Sequence, residues 1–238
     1  MPPSKVTPPG GPGDQALRSA QNHLRAADPV IGRLIELRPD FDPRAWLDEL
    51  PPLDLFGSLI FQVAGQQLSV AATRRTIDRI TALFGGEMPS PEQLLAVKPD
   101  ELRAAGLSWR KVETLRDLAA RLSDGRLDTE ELSTVPDEEF IAELTAVPGI
   151  GPWTAQGALF VALRREDVVL PGDLALRKAV RAAYDLDHLP SQDEVLEIAE
   201  KWRPFRSLAT SYLFSAAYEP ESNPERETTS PRRRGKKS

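Results

Sequence analysis

Apolar residues recur at three- and four-residue intervals over 55–64, 70–84, 109–122, 137–145, 152–163, 174–184, 192–202 and 205–217. That period marks helices with one buried face. Ser90-Pro91, Pro136-Asp137 and Ser191 are helix-start signals, and Gly85-Gly86 and Gly125 punctuate helix ends. The alternation expected of half-buried strands is missing. Its one candidate is the short run Val168-Val169-Leu170 between Asp167 and Pro171. No repeat of solenoid period is present. The pattern predicts an all-α fold over residues 25–218. Residues 1–24, rich in Pro and Gly, and residues 219–238 read as flexible tails.

Composition narrows the chemistry. Hydrophobic residues make up 40% of the 238 positions, enough to build a core. Cysteine is absent, which excludes disulfides, thiol nucleophiles, zinc–thiolate sites and cysteine-ligated iron–sulfur clusters. His23 and His188 stand alone, so a histidine-rich metal centre is not expected. No apolar run approaches the roughly 20 residues of a membrane span, and the N-terminus lacks the apolar stretch of a signal peptide. A soluble, cytosolic protein is expected. The net charge is −6; residues 219–238 hold six basic and four acidic side chains, which leaves −8 on the rest. A nucleic-acid binder usually carries a basic footprint, so a nucleic-acid role has to rest on local features.

The stretch from Leu144 to Ala155 supplies one. A helix ends near Val147, Pro148-Gly149-Ile150-Gly151 form a tight turn, and a second helix starts at Pro152. Proline suits a first helical turn, where its missing N–H costs nothing. Gly149 and Gly151 let backbone amides approach a ligand closely. Unpaired amides at a helix start, together with the helix dipole, form an anion site. A phosphodiester fits there without any lysine. The plain alternative is a glycine turn that merely joins two helices.

Twenty-two residues after Gly151 stands Asp173, within Leu170-Pro171-Gly172-Asp173, at the head of the next helix. One reading is an N-cap, which contributes about 1 kcal/mol. The other is a reactive carboxylate. The two are compatible, since a helix N-terminus favours negative charge.

Taken together, the segment Leu144-x-x-Val147-Pro148-Gly149-Ile150-Gly151-x-x-Thr154-Ala155 and the following Leu170-Pro171-x-Asp173 resemble the helix-hairpin-helix–Gly/Pro/Asp superfamily of base-excision DNA glycosylases. The resemblance covers most of 52–218 and is nearest to the 3-methyladenine DNA glycosylase II (AlkA-type) branch. It implies two helical subdomains flanking a cleft, with the catalytic carboxylate at Asp173. It implies DNA-binding positions at Pro148, Gly149, Gly151 and Thr154. Bifunctional members carry a lysine where this chain has Trp153, so water is the implied nucleophile, and Trp153 is placed in the base pocket. Gly65-Gln66-Gln67-Leu68-Ser69 resembles a helix junction of the family. There Gln67, with Leu68 beside it, would fill the gap left by a flipped nucleotide. Adenine-mismatch members have a glutamate where this chain has Gln62, which argues against that branch.

Trp202-Arg203-Pro204-Phe205-Arg206-Ser207 resembles a third family segment, with Phe214 following where a pocket aromatic is expected. Gly106-Leu107-Ser108-Trp109-Arg110-Lys111 is also family-like and reads as a helix entry facing DNA. By this resemblance a compact form without the β-rich N-terminal domain of the bacterial AlkA-type pattern is expected, and pocket contacts from that domain are not carried over.

The implied reaction is hydrolysis of the N-glycosidic bond of alkylated purines of the 3-methyladenine and 7-methylguanine type. The implied partner is double-stranded DNA, and a monomer is expected. No redox cofactor or catalytic divalent metal is implied. The hairpin carbonyls of Thr145, Val147 and Gly149 are candidates to hold a monovalent cation. Two other function classes stay open: a non-catalytic hairpin module for damaged or branched DNA, and a helical protein-interaction domain. The Trp153–Asp173 pair separates the first of these from an enzyme, because a pure binding module has no chemical use for it.

Overall fold

The computed structural model describes residues 12–38, 43–44 and 53–218. Thirteen helices are described, and no strand occurs among the described residues. They are α1 (Pro12–Ala27), α2 (Pro29–Glu36), α3 (Leu55–Gly65), α4 (Val70–Ala82), α5 (Pro91–Ala96), α6 (Pro99–Ala104), α7 (Trp109–Ser123), α8 (Thr129–Thr134), α9 (Asp137–Thr145), α10 (Pro152–Val161), α11 (Leu174–Ala183), α12 (Gln192–Glu200) and α13 (Arg206–Tyr218). No helix among the described residues is long and apolar enough to cross a membrane.

The sequence pattern located eight of these helices to within a few residues, and Ser90-Pro91 marked the start of a ninth, α5. Start signals work as their chemistry requires: Ser90 and Ser191 each form a reciprocal capping box, with Gln93 and Glu194 respectively. The apolar run Val168–Leu170 is buried but forms no strand. It is a loop whose backbone is tied to Ser207: Val168 N donates to Ser207 Oγ at 3.0 Å, and that hydroxyl donates to Arg165 O at 2.6 Å.

The N-terminal tail expected over 1–24 is corrected in part, because the chain is helical from Pro12. Leu17, Ala20 and Leu24 fall on one face of α1 and pack into the core. Buried Gln21 on the same face donates its Nε2 to Tyr212 Oη at 2.8 Å. Residues 1–11 and the tail expected over 219–238 lie outside the described residues. The next helix, α2, starts at the Asp28-Pro29 pair, where the Asp28 side chain caps Val30 N.

Principal helix packing falls into two sets. In one, α3 packs against α4, α7, α8 and α10; α7 also holds α5 and α6, and α10 folds back on α9. In the other, α2 packs on α1 and α13, and α11 packs on α12 and α13. The chain thus leaves the second set after α2, builds the first set, and returns through the 162–173 loop. Apolar residues from both sets form one continuous core. Helix α3 is apolar on nearly all sides, as a central helix must be, with Leu55, Phe56, Leu59, Ile60 and Val63 all buried. Its contact with α10 is close because Gly157 has no side chain: a Cβ there would stand 2.7 Å from the Gln62 amide.

Candidate active site

The hairpin joins α9 to α10. Leu144, Val147 and Ile150 are buried and anchor it, while Pro148 and Pro152 face solvent. Val147 N donates to Leu144 O at 3.1 Å and Ile150 N to Val147 O at 3.0 Å, which closes the turn. Gly149 has a φ of 91°, in the left-handed region that favours glycine. A side chain there would also collide with Thr114 of α7, with the Cβ only 2.0 Å from Thr114 Oγ1. Gly151 is different. It is the N-cap of α10 in extended conformation, and nothing lies within 4 Å of where its Cβ would point. That side of the turn is open. The amides of Gly151 and Trp153 have no acceptor among the described residues, as expected in the first turn of a helix. They sit at the positive end of the α10 dipole.

Asp173 caps α11: its Oδ1 accepts from Leu176 N at 2.9 Å. Its other oxygen, Oδ2, accepts from Trp153 Nε1 at 2.9 Å. The helix that follows the hairpin is therefore joined to the carboxylate, across twenty positions of sequence, by one hydrogen bond. Both residues are half-buried. The loop delivering Asp173 is clamped by the start of α13. Arg206 donates to Asp167 Oδ1 and to Asp167 O at 2.7 and 2.6 Å, Arg203 to Asp167 Oδ2 at 2.6 Å, and Ser207 N to Glu166 O at 3.0 Å. The Arg-Pro-Phe-Arg-Ser segment thus acts as a brace behind the aspartate.

The structure distributes the other candidates as follows. Gln67 and Leu68 are exposed in the turn between α3 and α4, and Gln67 takes a φ of 60°, unusual for a residue with a side chain. Phe214 is half-buried on α13, the helix packed against α11. Thr154 does not face outward. It is 2% exposed, and its Oγ1 accepts from Gln66 Nε2 at 3.0 Å. The reason is its place two residues into α10, on the face turned toward α3.

Of the carbonyls considered for a cation, Val147 O already accepts from Ile150 N and Gly149 O from Gln66 Nε2 at 3.1 Å. A carbonyl has two lone pairs, so each retains one. No group of three or more His, Cys, Asp or Glu fit to hold a metal occurs among the described residues.

Sequence reasoning missed three residues that build the site. Thr114 fills the space beside Gly149, and Gln66 bonds the hairpin. Lys111, in the first turn of α7, donates its ammonium to Ala64 O at 2.9 Å and Gln66 O at 2.8 Å. Burial pushes the Lys111 ammonium below its ordinary pKa. The glutamine pair and the lysine were visible in the sequence. Nothing in their spacing says that they meet the hairpin.

Comparison with known proteins places this geometry. The family described as HhH-GPD superfamily base excision DNA repair protein matches residues 60–204, more than half of the chain. The chain is 32% identical over 204 residues to DNA-3-methyladenine glycosylase 1 of Schizosaccharomyces pombe, covering 85% of this chain and 88% of that one. A solved structure of the S. pombe 3-methyladenine DNA glycosylase in complex with abasic DNA superposes with a TM-score of 0.75 at 31% identity, over 85% of this chain and all of that one. A DNA-3-methyladenine glycosidase from Bacillus halodurans superposes with a TM-score of 0.70 at 32% identity, over 84% of this chain and 89% of that one.

Proposed function

The chain belongs to the HhH-GPD superfamily of base excision DNA repair proteins, and we propose that it is a monofunctional DNA glycosylase that removes alkylated purines from double-stranded DNA. One observation carries the reading: the Trp153 indole, at the mouth of the hairpin helix, donates directly to the Asp173 carboxylate. A phosphate-binding turn, an aromatic face and an anion then share one corner of the molecule.

In this reading the open side of Gly151 and the first amides of α10 take a DNA phosphate. A monovalent cation held by the carbonyls of Thr145, Val147 and Gly149 would add positive charge there. Gln67, with Leu68 beside it, fills the gap in the stack. Extrusion of the target nucleotide costs a few kcal/mol, less for a weakly paired damaged base. The flipped base stacks on Trp153, with Phe214 nearby. N3- and N7-alkylated purines are cationic, and face-on contact with an indole contributes about 1–2 kcal/mol once desolvated. A cationic base leaves readily. As the C1′–N bond breaks, its electron pair goes to the base, and Asp173 stabilises the cationic sugar and orients water toward C1′. The water oxygen bonds to C1′ and its proton is released. The products are a free base and an abasic site. No amine stands where Trp153 stands, so no Schiff base forms and the strand stays intact.

Base release from duplexes that each carry one lesion tests the reading. Release of 3-methyladenine or 7-methylguanine is expected. Tight binding to damaged duplex with no base released from any lesion would instead make the protein a binding module.

A further inference from the structure

The turn that presents Gln67 and the turn that faces the phosphate are joined by a single side chain. Helix α3 ends at Gly65, leaving C-terminal carbonyls without helical partners. Lys111 Nζ takes two of the carbonyls at this end, Ala64 O and Gln66 O, at 2.9 and 2.8 Å. An ammonium at a helix C-terminus also suits the dipole. The chain then turns through Gln67 at a φ of 60°, with Leu68 N donating to Gly65 O at 3.0 Å, and Ser69 caps α4. Gln66 belongs to this turn by its backbone and to the hairpin by its side chain. Its amide nitrogen donates to Gly149 O at 3.1 Å and to the buried Thr154 Oγ1 at 3.0 Å. Gly149 is itself seated against Thr114. The hairpin therefore cannot shift without pulling on Gln66, and Gln66 cannot shift without moving its neighbour Gln67.

We propose that Gln66 is a positioning residue that couples the DNA-gripping hairpin to the turn carrying Gln67, with Lys111 holding that turn in place. This rests on the glycosylase reading above. Phosphate binding at the hairpin would then set the height and direction of Gln67 as it enters the duplex. Neither Gln66 nor Lys111 needs to touch the damaged base.

The test is a double-mutant cycle on the full chain, read by single-turnover release of 7-methylguanine and by affinity for undamaged duplex. In the otherwise native protein, Gln67→Ala is expected to slow release about tenfold, within the range of coupled neighbouring residues. In a Gln66→Leu background, the same Gln67→Ala change is expected to cost about twofold or less, because the side chain is no longer aimed. Gln66→Leu alone should slow release by a larger factor than it weakens affinity for undamaged duplex, since phosphate contacts dominate the latter. A merely structural role would lower affinity and release together and leave the cycle additive. Lys111→Met in place of Gln66→Leu gives a second cycle if the first variant folds poorly by circular dichroism. Equal effects of Gln67→Ala in all backgrounds, with the unsubstituted protein active, would overturn the inference alone. An unsubstituted protein that releases no alkylated base would overturn the glycosylase reading, and the inference with it.

Discussion

Gly149→Ala puts the construction of the hairpin under direct load. The substitution has two costs of different origin. At a φ of 91° an alanine carries left-handed strain of about 1–2 kcal/mol. Its Cβ would stand 2.0 Å from Thr114 Oγ1 and 3.1 Å from Thr114 Cβ. Thr114 is buried on α7, so relief requires an off-rotamer side chain or a backbone shift, about 1–3 kcal/mol. The expected loss is about 2–5 kcal/mol, and at about 2–4 °C per kcal/mol for a chain of this size Tm falls by roughly 4–20 °C. Thr114→Ala separates the two costs. It removes the hydroxyl and leaves a nearest approach of 3.1 Å, a tight contact rather than an overlap. Alone it loses a buried methyl and hydroxyl, about 1 kcal/mol. The double mutant should therefore be more stable than the sum of the two singles by about 1–3 kcal/mol. Urea denaturation of the four proteins measures this, and fluorescence anisotropy with undamaged duplex shows whether the grip on DNA recovers alongside. A Gly149→Ala protein within about 0.5 kcal/mol of the parent, or strict additivity with Thr114→Ala, would show that the turn does not depend on this contact.

Three further outcomes follow from the same contacts. Trp153→Phe keeps a flat ring but removes the donor to Asp173 Oδ2; binding of damaged duplex should hold while single-turnover release falls about tenfold, the loss of one charge-assisted hydrogen bond. Alkylated duplex treated with the protein should stay uncut until alkali is added, and borohydride should trap no covalent adduct; a trapped adduct would remove the monofunctional assignment. Asp28 is solvent-excluded, and burial alone would raise its pKa. Its bonds from Tyr184 Oη, Trp202 Nε1, Val30 N and Lys201 outweigh that and hold the carboxyl below the ordinary 3.8. A lowered folded-state pKa means this stabilisation is complete above the unfolded value and is lost as pH falls through the folded one. Asp28→Ala should cost about 2–4 kcal/mol at neutral pH, through the lost acceptor of Tyr184 Oη, the lost Lys201 ion pair and the lost cap on Val30 N, while Trp202 Nε1 keeps its second acceptor at Tyr184 Oη, and the variant's stability should depend less on pH below about 4 than the parent's.

The hairpin was legible because its constraints are local. A proline at the first helical position and glycines at fixed offsets write the turn into adjacent residues, and the turn stands at 148–151 as expected. Asp173 was legible as a cap for the same reason, and the structure adds its bond to Trp153. What escaped is what depends on distance in the chain. Thr114 meets Gly149 from thirty-five positions away, and Gln66 meets it from eighty-three. Neither residue type signals such a contact. Helices α6 and α8, six residues each, are too short to show a period. Helix α1 was hidden by the Pro/Gly-rich stretch before it, although Leu17, Ala20 and Leu24 already carry helical spacing. Thr154 was placed among the DNA-binding positions because the motif contains it; that its side chain is buried against Gln66 was not visible in the motif.

The Asp173 carboxylate bears the weight of the proposed chemistry, and Asp173→Asn isolates it. Asparagine is as good an N-cap as aspartate, so α11 keeps its start and the side-chain oxygen still accepts a hydrogen bond. What disappears is the negative charge opposite the developing sugar cation, and with it the second acceptor: an asparagine oxygen that keeps the bond from Leu176 N loses the one from Trp153 Nε1, so the loss beyond the roughly tenfold expected of Trp153→Phe belongs to the charge. The measurement is single-turnover release of 7-methylguanine from a duplex with one lesion, by parent and variant at protein concentrations that saturate binding. Melting temperatures and affinity for the damaged duplex should be equal, and the release rate should fall by about a hundredfold or more, the scale of removing a preorganised electrostatic contact. A folded, DNA-bound Asp173→Asn protein that releases the base at close to the parent rate would contradict the role of the charge.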